Sequence, residues 1–433
     1  MPGRFMLSYC FRIIGMLIQY LAIVTRYIRQ CWTLVFSTLY KAVTTPVMPL
    51  TESKKVLICT AHFAPAYTAG GIVRSLENLV RYLETDVQYF VLAGDTHLDP
   101  NEPLTGISRD EWMTFTPNCR IMYVSAAKRD YASVKALMHS LQADVVYING
   151  LYSLAFGMYP IYIGKAMSPK PLIILAPWGA LHVGNLAMKP FKKKVFLKLF
   201  RLAGLDRAVR WHVMDNSEFD DVVRVFGKRN DIMVANAIPD MVTRSLVPGQ
   251  KTVNHLKLIS VSLVTPNKGH MRVLNALKEL DSTLSVELDI YGPVKDEVFW
   301  ESCKQFIATL PPSIKVLYHG FIQPTEIFAA LSRAHFFILL SQGENFCQAI
   351  FESFNVGRPV ITSDQTPWRK LDEQKAGWDL SLNDPKSIVD AITTACKMPQ
   401  EVYDMYCHNA QKVALDYIAT ADFPTQYNRL YAR

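Results

Sequence analysis

The sequence predicts an α/β protein of two Rossmann-like domains facing each other across a cleft, preceded by an amphipathic membrane-associating helix. Three observations carry this reading. The 433 residues exceed what one ordinary core organises and suit two α/β domains with an appendage. Short apolar runs alternate with helical patterns in two successive sets, the signature of parallel sheets covered on both faces. The first forty-odd residues have a different character, strongly apolar with one polar stripe.

Half of the residues are apolar and 19% are charged, which fits a folded chain and argues against extended disorder. The eight cysteines are scattered without a C-x-x-C pair, so neither a zinc site nor a disulfide framework is indicated, and a reducing, cytoplasmic compartment fits best. A formal charge of +8 favours anionic partners. Lipid head groups, nucleoside diphosphates and nucleic acids all qualify, and charge alone does not choose among them.

From Phe5 to Tyr40 the chain is apolar, yet its longest uncharged stretch with few polar residues, Ile13 to Thr25, falls short of the roughly 20 residues of a spanning helix. At 100° per residue, Arg4, Arg12, Arg26 and Arg29 join Ser8, Gln19 and Lys41 within a sector of roughly 120°, with apolar side chains opposite. Residues 1–45 are therefore expected to lie in the lipid interface with their cations among the phosphates. A tilted span, a signal peptide or a helix buried in protein are the alternatives. The signal peptide is disfavoured because Arg26 and Arg29 follow the apolar run and no small-residue cleavage site succeeds it.

The segment TTPVMPLTESKK reads as a linker. A first domain is expected over 54–246, with strands at Val56 to Phe63, Val87 to Gly94, Asp144 to Gly150, Pro171 to Gly179, Trp211 to Ser217 and Asp231 to Asn236. A second is expected over 254–405, with strands at Leu256 to Ser262, Val286 to Gly292, Lys315 to Gly320, His335 to Ser341, Arg358 to Ser363 and Gly377 to Leu382. Residues 406–433 form a helical segment returning to the first domain. Ligands of doubly wound sheets sit beyond the carboxyl ends of the strands, so the residues ending these runs, Gly292 among them, are candidates for binding.

The first strand end opens onto HFAPAYTAGGIVRSLENLV, where Gly70 and Gly71 precede a helix carrying Arg74. Paired glycines at a helix start let backbone amides approach a phosphate or a sugar hydroxyl, although a plain strand-to-helix turn has the same look. G-x-G-x-x-G, P-loop, H-E-x-x-H and D-x-D patterns are missing, which removes the signatures of dinucleotide, ATP, zinc and metal-bound nucleotide-sugar chemistry.

Glu344 follows the strand HFFILLS, and Glu352 stands eight positions later in a helical pattern. A wholly helical spacer would separate them by roughly 12 Å along the axis. That is too far for a close dyad such as glycosidases use. It suits two carboxylates holding different ends of one elongated ligand.

The segments ENFCQAIFE, NVGRPVIT and DQTPW, with the Pro-x-x-x-x-Gly-Gly loop, APWGAL and TPNKG, resemble family 4 of the retaining glycosyltransferases with the GT-B fold, in its membrane-associated, polysaccharide- or glycolipid-assembling form. The resemblance extends over roughly residues 54–433. It implies that Glu344 contacts the donor sugar near the reacting carbon and that Glu352 binds the nucleotide ribose. It implies that Lys268 neutralises the leaving diphosphate, helped by the amides around Asn345 and Phe346. No cofactor is implied beyond the nucleoside-diphosphate sugar itself, and no metal, since a lysine and a helix N-terminus can carry the departing charge. The chain departs from the family at three places. Leu263 stands where an arginine usually precedes the lysine, Trp178 where His or Arg usually precedes the glycine, with His182 four residues on, and Cys347 where the turn has glycine.

The run KPFKKKVFLKLFRLAGLDRAVR, with Lys192, Lys193 and Lys194, reads alone as a solvated amphipathic helix. Beside the N-terminal stripe it is expected to belong to a membrane-facing wall of the first domain. The expected partners are a nucleotide sugar, a lipid-linked saccharide acceptor and an anionic membrane surface, at the cytoplasmic face as a peripheral or monotopic protein. Nucleic acid is not expected, because the basic residues interleave with aliphatics. A catalytically weakened nucleotide-sugar-binding or scaffolding protein is the main alternative, motivated by Leu263 and Trp178, and a sugar-nucleotide epimerase is a second.

Overall fold

A computed structural model describes residues 53–83, 86–187, 190–246 and 248–433. The amphipathic segment 1–45, with Arg12, Arg26 and Arg29, lies outside them.

Two sheets organise the chain from Lys54 onward. The first has eight strands: β1 (Lys54–Thr60), β2 (Val87–Gly94), β3 (Met113–Thr116), β4 (Cys119–Val124), β5 (Val145–Asn149), β6 (Leu172–Ala176), β7 (Arg210–Val213) and β8 (Ile232–Val234), in the order β3-β4-β2-β1-β5-β6-β7-β8. Every neighbouring pair is parallel except β3 with β4. The second has six parallel strands: β9 (His255–Val261), β10 (Ser285–Tyr291), β11 (Ile314–Tyr318), β12 (Phe336–Leu339), β13 (Val360–Ser363) and β14 (Gly377–Leu380), in the order β11-β10-β9-β12-β13-β14.

All twelve expected strands form. β3 and β4 were not anticipated. They are a short hairpin at the sheet edge, where β3 is nowhere fully buried and a register shift interrupts the ladder, so no continuous apolar run marks β3 in the sequence. β4 alternates at Cys119, Arg120 and Ile121, but the apolar Met122 and Val124 share the face of Arg120 and blur the pattern.

Alternation sends the β1 side chains to both faces of the first sheet. Val56 and Ile58 enter one core, Leu57 and Cys59 the other, and all four are buried. Six helices are used below: α1 (Gly71–Tyr82), α2 (Pro190–Leu202), α3 (Asn216–Phe226), α4 (Gln348–Asn355), α5 (Gln400–Thr420) and α6 (Phe423–Tyr431). α1 buries Val73, Leu76 and Val80, spaced three and four apart, against the first sheet. α3 starts at Asp215, whose carboxylate accepts the Glu218 N–H at 2.8 Å. α4 buries Ile350, Phe351 and Phe354 under the second sheet.

The C-terminal end of the chain belongs to the first sheet. Phe423, Tyr427, Leu430 and Tyr431 of α6 lie in the same core as Val56 and Ile58. Lys54 Nζ and Arg210 donate to the carbonyls of Tyr431 and Leu430 at 3.1 and 2.8 Å.

Each sheet reverses its strand order beside a central strand, at β1 between β2 and β5 and at β9 between β10 and β12. Such switch points leave a crevice beyond the carboxyl ends of the strands. The loops following β1, β6, β9, β10 and β12, with α1, α3 and α4, supply the residues described next.

Candidate active site

Two cavities of about 180 and 360 Å³ adjoin along the cleft and share Gly71, Leu263, Lys268, Glu344, Cys347 and Gln348 in their walls. Gly70, Arg74, Gly292 and Glu352 line the smaller one. Trp178, His182, Asn345 and Phe346 line the larger. The structure thus brings together every candidate named for the donor and acceptor site. Lys192, Lys193 and Lys194 stand apart from it, on α2.

Lys268 lies in a tight turn after β9, and its Nζ is 2.5 Å from Glu344 Oε1 in the loop after β12. Burial works against the ammonium, but the adjoining carboxylate outweighs it and raises the lysine pKa. The cation therefore persists well above neutral pH.

Glu352, on α4, is buried and faces Arg74 of α1 across the cleft at 3.8 Å. Burial pushes its carboxyl up to about 7 despite the guanidinium, with Asp240 nearby adding to the rise. Arg74 is shared with Glu77 at 3.2 Å and Asp240 at 3.9 Å. Only three residues separate Glu344 from α4, and they are not helical, so the two glutamates project from different elements.

Glycine is required where the backbone closes on itself. At Gly292 a Cβ would meet the Ser262 carbonyl oxygen at 1.9 Å, and φ is +130°. At Gly70 φ is +93°, and the space that a Cβ would take borders Leu263 at 3.6 Å. Leu263 thus faces the glycine loop and contributes bulk there, not charge.

α4 begins at Cys347, in the left-handed region at φ +63°, and no side chain caps it. A non-glycine residue there is strained by about 1 kcal/mol. Burial raises the thiol pKa, which favours the less nucleophilic thiol form of Cys347. The uncapped helix start carries the positive end of the helix dipole at the cavity wall.

Phe346 is a core residue. Its ring lies 5.3 Å from those of both Trp368 and Tyr417, and its carbonyl accepts the Trp368 indole N–H at 2.6 Å. Trp178 packs against the cores of both sheets at φ +50°. His182 Nδ1 bonds Asp221, which also pairs with Arg224. Burial opposes protonation of the imidazole, but Asp221 outweighs it and raises the pKa.

Sequence reasoning missed Glu218. Its buried carboxylate accepts the N–H groups of Gly179 and Met214 at 2.7 and 2.9 Å and the Asn345 amide at 2.8 Å, tying the loop after β12 to the first sheet. It also missed Gln348, which donates to Ser75 Oγ of α1 at 2.9 Å. The acidic run DNSEFDD reads only as a helix start. Nothing local shows that Glu218 turns inward.

α2 carries Phe191, Val195, Leu199 and Leu202 on one face, 79, 42, 60 and 73% exposed, with Lys192, Lys194 and Lys198 exposed beside them. Lys193 behaves differently. It donates to the Asn185 carbonyl at 2.6 Å and lies over the Tyr152 ring. Among the described residues no helix is long and apolar enough to cross a membrane, and no group of three or more His, Cys, Asp or Glu is placed to hold a metal ion.

Residues 247–413 match the family model of glycosyl transferases group 1. No curated protein matches the sequence. Among solved structures, Anabaena Alr3699/HepE in complex with UDP and glucose is 14% identical, with a TM-score of 0.60 over 87% of this chain and 98% of that one. Sucrose-phosphate synthase from Thermosynechococcus elongatus is 13% identical at a TM-score of 0.61, with the same coverage. WaaG, a glycosyltransferase involved in lipopolysaccharide biosynthesis, is 12% identical at 0.55, again over 87% and 98%. The shared feature is the fold, the two-domain GT-B arrangement of parallel sheets.

Proposed function

We propose that the protein is a retaining glycosyltransferase that moves a sugar from a nucleoside-diphosphate sugar to a lipid-linked saccharide at the cytoplasmic face of a membrane. The observation that carries this reading is the Lys268–Glu344 pair, 2.5 Å apart in a cleft between two switch points and lined by Gly71 and the start of α4. The group 1 match over 247–413 and the UDP and glucose bound by the Anabaena protein support the donor class.

In this reading the diphosphate lies against Lys268 and the α4 start, which hold the charge that develops on the departing phosphate. Glu344 accepts hydrogen bonds from hydroxyls of the donor sugar and fixes its orientation, and Glu352 does the same for the ribose. The acceptor hydroxyl attacks the face from which the phosphate leaves. A phosphate oxygen takes its proton, so configuration is kept without a protein nucleophile. In this reading the charge on the departing phosphate is met by protein cations and the α4 start, without a metal. The exposed apolar stripe of α2, flanked by lysines, supports a membrane-bound acceptor, as does the involvement of WaaG in lipopolysaccharide biosynthesis.

The test is incubation of the purified full chain with radiolabelled nucleotide sugars and total membrane lipid, followed by extraction and determination of the anomeric configuration of the product. Label in a lipid-soluble glycoside of retained configuration is expected. Binding without transfer would leave a scaffold, and inversion would remove the proposed mechanism.

A further inference from the structure

The cations along the cleft differ in how far their charge is already matched. Arg74 faces Glu77, Glu352 and Asp240, and Lys268 faces Glu344. A nucleoside diphosphate brings at least two negative charges into a partly buried site. Neutralised pairs and one helix start, equivalent to about half a charge, leave most of that uncompensated.

Lys295 stands in a different position. It lines the same 360 Å³ cavity as Lys268 and Leu263 and is exposed there. Among the described residues it forms no ion pair with a carboxylate within 4.0 Å. Its neighbour Asp296 is occupied at the start of the helix Glu297–Ile307, accepting the Phe299 N–H at 2.9 Å.

The backbone beneath Lys295 is fixed. Its N–H donates to the Val264 carbonyl at 3.2 Å, and the Val264 N–H donates to the Pro293 carbonyl at 3.0 Å. That ladder sets Lys295 alongside the Leu263–Val264 segment. Its charge also reaches the loop after β1. His62, in the loop after β1, has a pKa lowered first by burial and then by cations that include Arg129 and Lys295.

We propose that Lys295, carried by the loop after β10, is a diphosphate-binding residue of the donor site, supplying from beside Leu263 the positive charge that Leu263 lacks. The inference rests on the donor-site reading above. It predicts an interaction with the phosphates only, so nucleoside affinity is unaffected.

Isothermal titration calorimetry of the full chain with UDP, GDP and ADP first finds the nucleotide that the wild type binds. With that nucleotide, Lys295→Ala should weaken diphosphate binding about tenfold and flatten its salt dependence, while affinity for the matching nucleoside stays unchanged. Lys295→Arg should bind like the wild type. Leu263→Arg introduced into Lys295→Ala should restore most of the loss, because position 263 faces the same cavity. Diphosphate affinity in Lys295→Ala equal to that of the wild type overturns the proposal and leaves the donor site standing, as does an equal loss for the nucleoside. If the wild type binds none of the three diphosphates nor their sugars, the donor-site reading falls and this proposal with it.

Discussion

Glu344 and Lys268 are each other's counter-ion at 2.5 Å, whereas Glu352 is buried against Arg74 at 3.8 Å. The two carboxylates should therefore fail differently. Glu344→Ala is expected to lose nearly all transfer, Lys268→Ala to lose on the order of 10²-fold in kcat, and Glu352→Ala chiefly to raise the donor KM. Steady-state kinetics with melting curves for each variant check this, and equal, negligible effects of both glutamate changes would remove the assignment. Glu352 also predicts a pH dependence of stability. Between its ordinary value of 4.5 and about 7, the folded chain keeps a proton that the unfolded chain has released. Stability from this group is thus full below 4.5 and lost as pH rises through about 7, a swing of roughly 3 kcal/mol. Glu352→Gln lacks the titration, so its melting temperature should gain on the wild type's across that window. Parallel pH profiles of the two would refute the buried, proton-holding carboxylate.

α2 shows what a single element adds. In the sequence it reads as a lysine-rich amphipathic helix, and the helical period was visible there. Which side faces inward was not, because Phe196 and Phe200 alternate with Val195 and Leu199 along one apolar run. In the fold Phe200 is buried against Trp211 and Phe226, which leaves Phe191, Leu199 and Leu202 outward. Lys193 is held by Asn185, whereas Lys192, Lys194, Lys198 and Arg201 are exposed on α2. Exchanging Phe191, Leu199 and Leu202 for Gln should cut sedimentation with phosphatidylglycerol vesicles several-fold and leave the melting temperature within a degree or two, since surface substitutions cost little. Exchanging the three lysines for Gln should instead remove only the salt-sensitive part of binding. Unchanged sedimentation in both variants would return α2 to a solvated surface helix. The edge hairpin β3–β4 failed to register for a related reason: where tertiary packing buries little, the sequence carries little periodic signal.

At the scale of the whole molecule, the repeated alternation of strands and helices made the doubly wound sheets legible, because a parallel sheet buried on both faces demands apolar runs that no surface element imitates. The strand ends then pointed to Gly70, Gly292 and Glu344 before any contact was known. The ties across the cleft were not legible. Gln348 to Ser75 spans 273 positions and Asn345 to Glu218 spans 127, and pairings at such separations leave no local pattern. The N-terminal segment poses the remaining question at this scale. Interfacial attachment grows with the apolar area buried and with the cations facing anionic lipid, so two such signals hold more firmly than one. In the helix expected from the sequence of residues 1–45, Arg4, Arg12, Arg26 and Arg29 would stand above a broad apolar face, each cation adding roughly 1 kcal/mol near an anionic surface. The stripe on α2 would be the second signal. Removing residues 1–45 should therefore release most of the protein from membranes at physiological salt and leave a weaker attachment that high salt abolishes. Combining the truncation with the Gln exchanges on α2 should release all of it. Both truncated forms should melt cooperatively near the full chain's temperature, because the cores described here draw on residues from Val56 onward. Transfer to a short soluble acceptor should survive in both forms, and transfer to a lipid-linked acceptor should fall in the order of their membrane binding. A truncated chain that stays fully membrane-bound in high salt would show that residues 1–45 are not the principal anchor.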